Sequence, residues 1–174
     1  WLNPGSAPTG ISGTCNNLAG AALEDGGTAA CFEGASFKAS GFDFTNLGGV
    51  PADATNIRLT VRLVARVDTN AIKNAANIRL SWGDLASGTL TANQPVSGIQ
   101  STLAEYLLPA DGSCSSFDHT WTRAELLAGT FAVRVTSGGD PLYIDAIQVR
   151  ACWDEVLAPD LTVTKTATVS AVDY

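Results

Sequence analysis

Asn56-Ile57-Arg58-Leu59-Thr60-Val61-Arg62-Leu63-Val64-Ala65-Arg66-Val67-Asp68 is the stretch that decides the fold. Period two puts Ile57, Leu59, Val61, Leu63, Ala65 and Val67 on one face, with Arg58, Thr60, Arg62, Val64 and Arg66 on the other. That alternation is the mark of a long strand with one face in a core. Upstream, residues 35–44 read as a strand, followed by a turn through Gly48-Gly49-Val50-Pro51-Ala52-Asp53. Downstream, a polar turn at Asp68-Thr69-Asn70 leads to a strand at residues 77–83 with Ile78, Leu80 and Trp82 aligned.

Short strands are expected near residues 88–92 and 101–108, separated by an Asn93-Gln94-Pro95 turn. Thr122 with Glu125 three positions on is a capping-box spacing, and Gly129 stands where that short helix would end. Residues 130–136, with Phe131, Val133 and Val135 inward, and residues 142–152 read as a hairpin across Ser137-Gly138-Gly139-Asp140-Pro141. Ile144 and Ile147 cannot share a face of a regular strand, so a bulge is expected between them. About eight such strands without βαβ alternation predict an all-β fold. Its form is an antiparallel jelly-roll-like β-sandwich with one short helix and extended N- and C-terminal segments. The expected divisions are residues 1–30, an N-terminal arm and disulfide-held loop with one helical turn at 18–24; residues 31–157, the sandwich; and residues 158–174, a C-terminal donor or linker strand.

That last segment alternates again. Leu161, Val163, Ala167, Val169 and Ala171 fall on one face, interrupted by Lys165, and threonines with Ser170 on the other. It follows Ala158-Pro159, a break that lets it leave the body of the domain before it pairs. Donated to a neighbour's open sheet, a dozen residues reach about 40 Å. The resulting head-to-tail contact does not close, and it yields a filament.

With 45% hydrophobic residues among 174, the chain can bury a full core. Only 16% of residues are charged, a mix usual in secreted β-proteins. The net charge of −7 argues against nucleic acid or an anionic membrane as partner. No apolar run reaches the length of a membrane-spanning helix, so no membrane insertion is expected. The chain opens Trp1-Leu2-Asn3-Pro4 and contains no Met, as a segment processed from an exported precursor would. Four cysteines, Cys15, Cys31, Cys114 and Cys152, fit two disulfides in an oxidising compartment, hence an extracellular, secreted or cell-surface location. None of the spacings suits structural zinc. Four cysteines admit three pairings; the preferred one joins Cys15 to Cys31, closing the glycine-rich loop, and Cys114 to Cys152, tying a long loop to the last core strand.

Gly41-Phe42-Asp43-Phe44, Val50-Pro51-Ala52-Asp53-Ala54-Thr55, Ile57-Arg58-Leu59-Thr60-Val61, Trp121-Thr122, Phe131-Ala132-Val133-Arg134-Val135 and Ile144-Asp145-Ala146-Ile147-Gln148-Val149 resemble a β-sandwich module recurrent in exported bacterial surface proteins. The resemblance covers residues 32–153. Asp160-Leu161-Thr162-Val163-Thr164-Lys165-Thr166-Ala167 resembles the opening strand of the Ig-like conserved repeat domains of large bacterial envelope proteins. It implies either a fragment of a longer protein or a lone strand that completes another sandwich.

Catalysis is not expected. Ser115, Ser116, Asp118 and His119 share a loop, but no nucleophile elbow accompanies them, and neighbouring side chains there point apart. Asp43, Asp53, Asp68, Asp84, Asp140 and Asp145 would at most hold one structural calcium ion; turn formation accounts for them, and no other cofactor is expected. Trp1, Trp82, Trp121, Trp153, Tyr106 and Tyr143 are the aromatics a glycan platform would use, although Trp82 continues the Ile78/Leu80 core face. The Arg58/Arg62/Arg66 stripe reads as a solvated face balanced by acids, or as a receptor for a neighbouring subunit. The function expected is a non-enzymatic structural subunit of an extracellular bacterial filament or pilus-like polymer, its partner another copy of itself. The alternative is a glycan-binding or adhesive module of a larger surface protein.

Overall fold

A computed structural model describes residues 1–45, 49–68, 70 and 75–155. The donor-strand residues Leu161, Val163, Ala167, Val169 and Ala171 lie outside the described residues. In chain order the elements are β1 (Thr9–Ser12), β2 (Cys15–Asn16), a 3-10 turn (Leu18–Ala21), β3 (Ala29–Cys31), β4 (Ser36–Ser40), β5 (Thr55–Val67), β6 (Ala75–Trp82), β7 (Thr89–Leu90), β8 (Gln94–Ser97), β9 (Ala104–Leu108), α1 (Arg123–Leu127), β10 (Ala132–Ser137) and β11 (Leu142–Asp154).

They form the two-sheet antiparallel sandwich that the alternation predicts. One sheet runs β2-β3-β11-β5-β9 and the other β1-β4-β10-β6-β7, with β8 also paired to β6. β5 and β11 are the spine of the first sheet, paired from Leu142 opposite Val67 to Asp154 opposite Thr55. The inward residues of β5, from Ile57 to Val67, are buried and face Ile78 and Leu80 of β6, Phe37 of β4, and Val133 and Val135 of β10 in one core. Each buried Leu, Val, Ile or Phe contributes roughly 1.5–3 kcal/mol relative to exposure. At one end, Phe131 meets Phe42, Phe44 and Trp121 edge to face at centroid distances of 5.7, 5.4 and 5.5 Å. The capping box of α1 is complete, with Thr122 accepting from the Glu125 backbone and Glu125 accepting in return, and Gly129 follows at φ +70°.

The register of β11 slips between Ile144 and Ala146, so both Ile144 and Ile147 reach the core. The bulged Asp145 is buried and accepts a hydrogen bond from the Gly26 backbone at 2.9 Å.

Three local expectations are corrected. β10 and β11 are not a hairpin: β10 pairs with β4 and β6, whereas β11 pairs with β3 and β5, so residues 137–141 arch from one sheet to the other. The arch is held from outside, Ser137 N donating to Ala35 O and Gly138 N to Ala75 O. Gln94 and Pro95 belong to a strand, β8, rather than a turn; a proline is tolerated there because β8 is an edge that pairs only with β6. The strand expected at 35–44 ends at Ser40, because Gly41 takes φ +77° and turns the chain against Gly5.

Residues 1–30, expected as an arm and a loop, run along both sheets. Leu2 bridges Val149, β1 adds to β4, and β2 and β3 extend the first sheet from β11. The 3-10 turn then lies against β11 and buries Ala21.

Candidate functional site

The two outer faces of the sandwich are used differently. On the first sheet, the chain covers itself. Arg62 of β5 bonds Glu24, Glu105 and Gln148. Glu24 first and then Glu105 raise the Arg62 pKa above its ordinary value, and Arg62 in turn holds the Glu24 carboxyl below the usual range. Arg58 pairs with Asp154 at 2.8 Å. Arg66 lies over the Tyr143 ring at 4.1 Å and near Asp68, and Arg150 lies over Trp1 at 5.1 Å. The Arg58/Arg62/Arg66 stripe is therefore neutralised within its own chain.

The disulfides lie on opposite faces of this sheet, Cys15–Cys31 against the core and Cys114–Cys152 in the outer covering. Cys15 joins Cys31 across the β2–β3 pair, with Cα atoms 4.2 Å apart. Cys114 joins Cys152 at 6.2 Å. Ser115 bridges Leu59 from one side of β5, and Cys152 is the register partner of Arg58 on the other. The bond thus crosses over Thr60, whose hydroxyl lies 3.2 Å from Cys114 Sγ and donates to Ser113 O at 2.7 Å. Thr60 is fully buried although it points away from the core. Two disulfides fit an extracellular, oxidising setting.

The second sheet presents its outer face as an open groove of about 360 Å³. Its floor includes Arg134 of β10 opposite Arg79 of β6, and Lys38 of β4, opposite Arg134 on the other side, continues the row beyond the groove's lining. Thr136 is likewise opposite Ser36 and Asn77, giving a hydroxyl and amide row beside the cationic one. Asn93 Nδ2 donates to Asn77 Oδ1 at 2.7 Å, so the pair still presents one amide donor and one acceptor. Ile11 and Leu90, about two-fifths exposed, wall the two sides. None of the lining residues is acidic.

Lys38 and Arg134 both donate to the carbonyl of Leu85, and Arg134 also to Ser81 Oγ at 3.2 Å and Ala86 O at 3.4 Å. Asp84 begins that turn. Ser87 and Ala86 backbone N–H groups first, then the Ser87 hydroxyl and Lys38, hold its carboxyl below the usual range. Among the described residues the Arg79 side chain makes no hydrogen bond or ion pair, and the residue is exposed.

The other residues singled out in the sequence do not converge. His119 Nε2 lies 3.2 Å from both Glu125 carboxylate oxygens, and its ring stacks on Trp82 at 3.8 Å. Ser115 Oγ accepts from Phe117 N instead, so Ser115, Asp118 and His119 form no triad among the described residues. Burial pushes the Glu125 carboxyl up, but hydrogen bonds from Thr122 and His119 outweigh it and hold the group low. Trp121 is buried and donates to Ser116 O, and Tyr106 OH accepts from Gln100 N. Trp1 lies against Arg150 and Trp82 in the His119 stack, so the aromatics do not line up on one face as a platform. Asp43 and Asp84 cap turns, Asp145 bonds Gly26, and no metal-binding cluster occurs among the described residues.

No family model matches this sequence, and no curated protein does. Two solved structures are similar to the fold. One is the CBM22-2 xylan-binding domain of Paenibacillus barcinonensis Xyn10C, 7% identical, covering 87% of this chain and 99% of that one at a TM-score of 0.47. The other is the Clostridium thermocellum xylanase 10B CBM22-1–GH10 structure complexed with xylohexaose, 7% identical over 91% of this chain and 29% of that one, TM-score 0.48.

Sequence reasoning passed over Lys38, Arg79 and Arg134. Arg79 and Arg134 were visible as the polar positions between Ile78 and Leu80 and between Val133 and Val135. Only the register places them side by side.

Proposed function

We propose that this chain is a non-catalytic, extracellular carbohydrate-binding module of a larger exported protein, holding a saccharide in the groove of the second sheet. The observation that carries the reading is the groove itself: adjacent rows of amide, hydroxyl and guanidinium groups between Ile11 and Leu90, on the face that the described residues leave uncovered. Such groups meet sugar hydroxyls as donors and acceptors, and the apolar walls receive ring C–H faces. Affinity electrophoresis against a panel of neutral and acidic polysaccharides tests it. Retardation that is lost in an Asn77→Ala/Asn93→Ala double variant with an unchanged melting temperature is expected; no retardation on any polysaccharide would refute it.

A second reading, a head-to-tail polymer built by donation of residues 160–172, is favoured by the alternation of that segment. Removing residues 160–174 separates the two, since it would abolish polymers seen by light scattering while leaving glycan binding intact.

A further inference from the structure

We infer that the saccharide this groove takes is a polyuronate, its ring carboxylates meeting the Arg134–Arg79 pair that Lys38 adjoins; the inference deepens the glycan-binding reading and rests on it. The molecule carries seven more negative than positive charges, yet three cations stand in register on adjacent strands of one sheet. Like charges placed directly opposite across strands oppose sheet formation. On the other sheet the same problem is solved at home, each of Arg58, Arg62 and Arg66 having a carboxylate beside it. On this sheet it is not. Lys38 and Arg134 are turned by the carbonyls of Leu85 and Ala86, which orient them without neutralising them. Asp84 stands at the end of the row beside Lys38, which helps hold its carboxyl low. Arg79 has no partner among the described residues and faces the groove with Leu90 and Asn93.

An unpaired guanidinium next to a second, pre-oriented one is a receptor for planar anions. The two-donor fork matches the two oxygens of a carboxylate, and the match is stronger than any hydrogen bond to a neutral hydroxyl. The hydroxyl and amide row of Ser36, Thr136 and Asn77 runs alongside, where the sugar's own hydroxyls would lie. A neutral glycan would satisfy that row alone and leave the cations facing one another.

Isothermal titration with the whole chain decides the question, using polygalacturonate, its fully methyl-esterified form, a neutral xylan and a sulfated polysaccharide. The expected result is binding to polygalacturonate, weakened by added NaCl, absent for the methyl ester, and reduced about tenfold to a hundredfold by Arg79→Gln. Arg58→Gln on the opposite sheet, read beside it, should leave affinity unchanged. Equal binding to neutral xylan or to the methyl ester would overturn the polyuronate inference while the glycan-binding reading stands. Preference for the sulfated polymer would likewise overturn the carboxylate assignment. Failure to bind any saccharide would sink both. Self-association by light scattering that disappears in Arg79→Gln would show instead that the row receives the acidic surface of a second copy.

Discussion

The cationic row should cost the fold stability, and Arg79→Gln measures how much. Arg79 has Arg134 directly across from it and no partner to lose among the described residues. Two unit charges ~6 Å apart in water repel by about 0.7 kcal/mol, within the roughly 0.2–1 kcal/mol range of cross-strand pair effects. For a domain of this size, about 2–4 °C of melting temperature accompanies each kcal/mol. Arg79→Gln is therefore expected to raise the melting temperature by about 1–3 °C in low salt. The gain should vanish near ~1 M NaCl, where the screening length falls to about 3 Å. Arg79→Lys keeps the charge and should show no such gain. Differential scanning calorimetry of the three proteins at two salt concentrations is the assay. A lower melting temperature for Arg79→Gln, a gain that persists in high salt, or the same gain in Arg79→Lys would refute the reasoning. Arg134 is a poorer probe, because its replacement also removes bonds to Ser81, Leu85 and Ala86.

Thr60→Val should destabilise by about 1–3 kcal/mol, since it keeps the shape under the Cys114–Cys152 bond but strands the Ser113 carbonyl; urea unfolding reads it, and an unchanged midpoint would mean that water replaces the hydroxyl. Glu24, Asp84, Asp111 and Glu125 are all held below their ordinary values of 4.5 for Glu and 3.8 for Asp. Groups whose folded pKa is depressed stabilise the fold above the unfolded value, and that contribution is lost as pH falls through the folded one. The melting temperature is thus expected to be flat above about pH 5 and to drop below about pH 4.5. Thr122→Ala, which removes a bond that holds Glu125 low, should soften the drop, and an identical acid profile in that variant would contradict the assignment.

What the sequence made legible was whatever a single strand or turn decides by itself. β5 is the clearest case: six alternating apolar side chains leave one way to lay the strand on a core. The bulge at Asp145 was legible for a similar reason, because Ile144 and Ile147 both demand burial and a regular strand cannot supply it. The Thr122–Glu125 box needed only four residues. Illegible were the decisions that depend on distant partners. Ser137-Gly138-Gly139-Asp140-Pro141 has the composition of a hairpin turn, and it becomes an inter-sheet arch only because Ala35 and Ala75 supply acceptors from far along the chain. Pro95 spoke for a turn until β6 gave it an edge to sit on. The groove was hidden for the same reason: positions 38, 79 and 134 are remote in sequence, and their row exists only through two registers.

The asymmetry between the faces follows from the first thirty residues. By carrying Glu24 onto Arg62, Gly26 onto Asp145 and the 3-10 turn onto β11, this segment partly covers the outer face of the first sheet. The same segment gives the second sheet only the edge strand β1, which brings Ile11 to the rim of the groove and covers nothing behind it. Arg62 of one face is thereby engaged by Glu24 of this segment, with Arg58 and Arg66 beside Asp154 and Asp68, whereas the Arg79 side chain of the other face has no such partner among the described residues. A row of cations in register costs stability, and the proposed polyuronate would relieve that cost. Binding a polyuronate should therefore raise the melting temperature of the parent chain more than that of Arg79→Gln, in which only the Lys38–Arg134 repulsion is left to relieve.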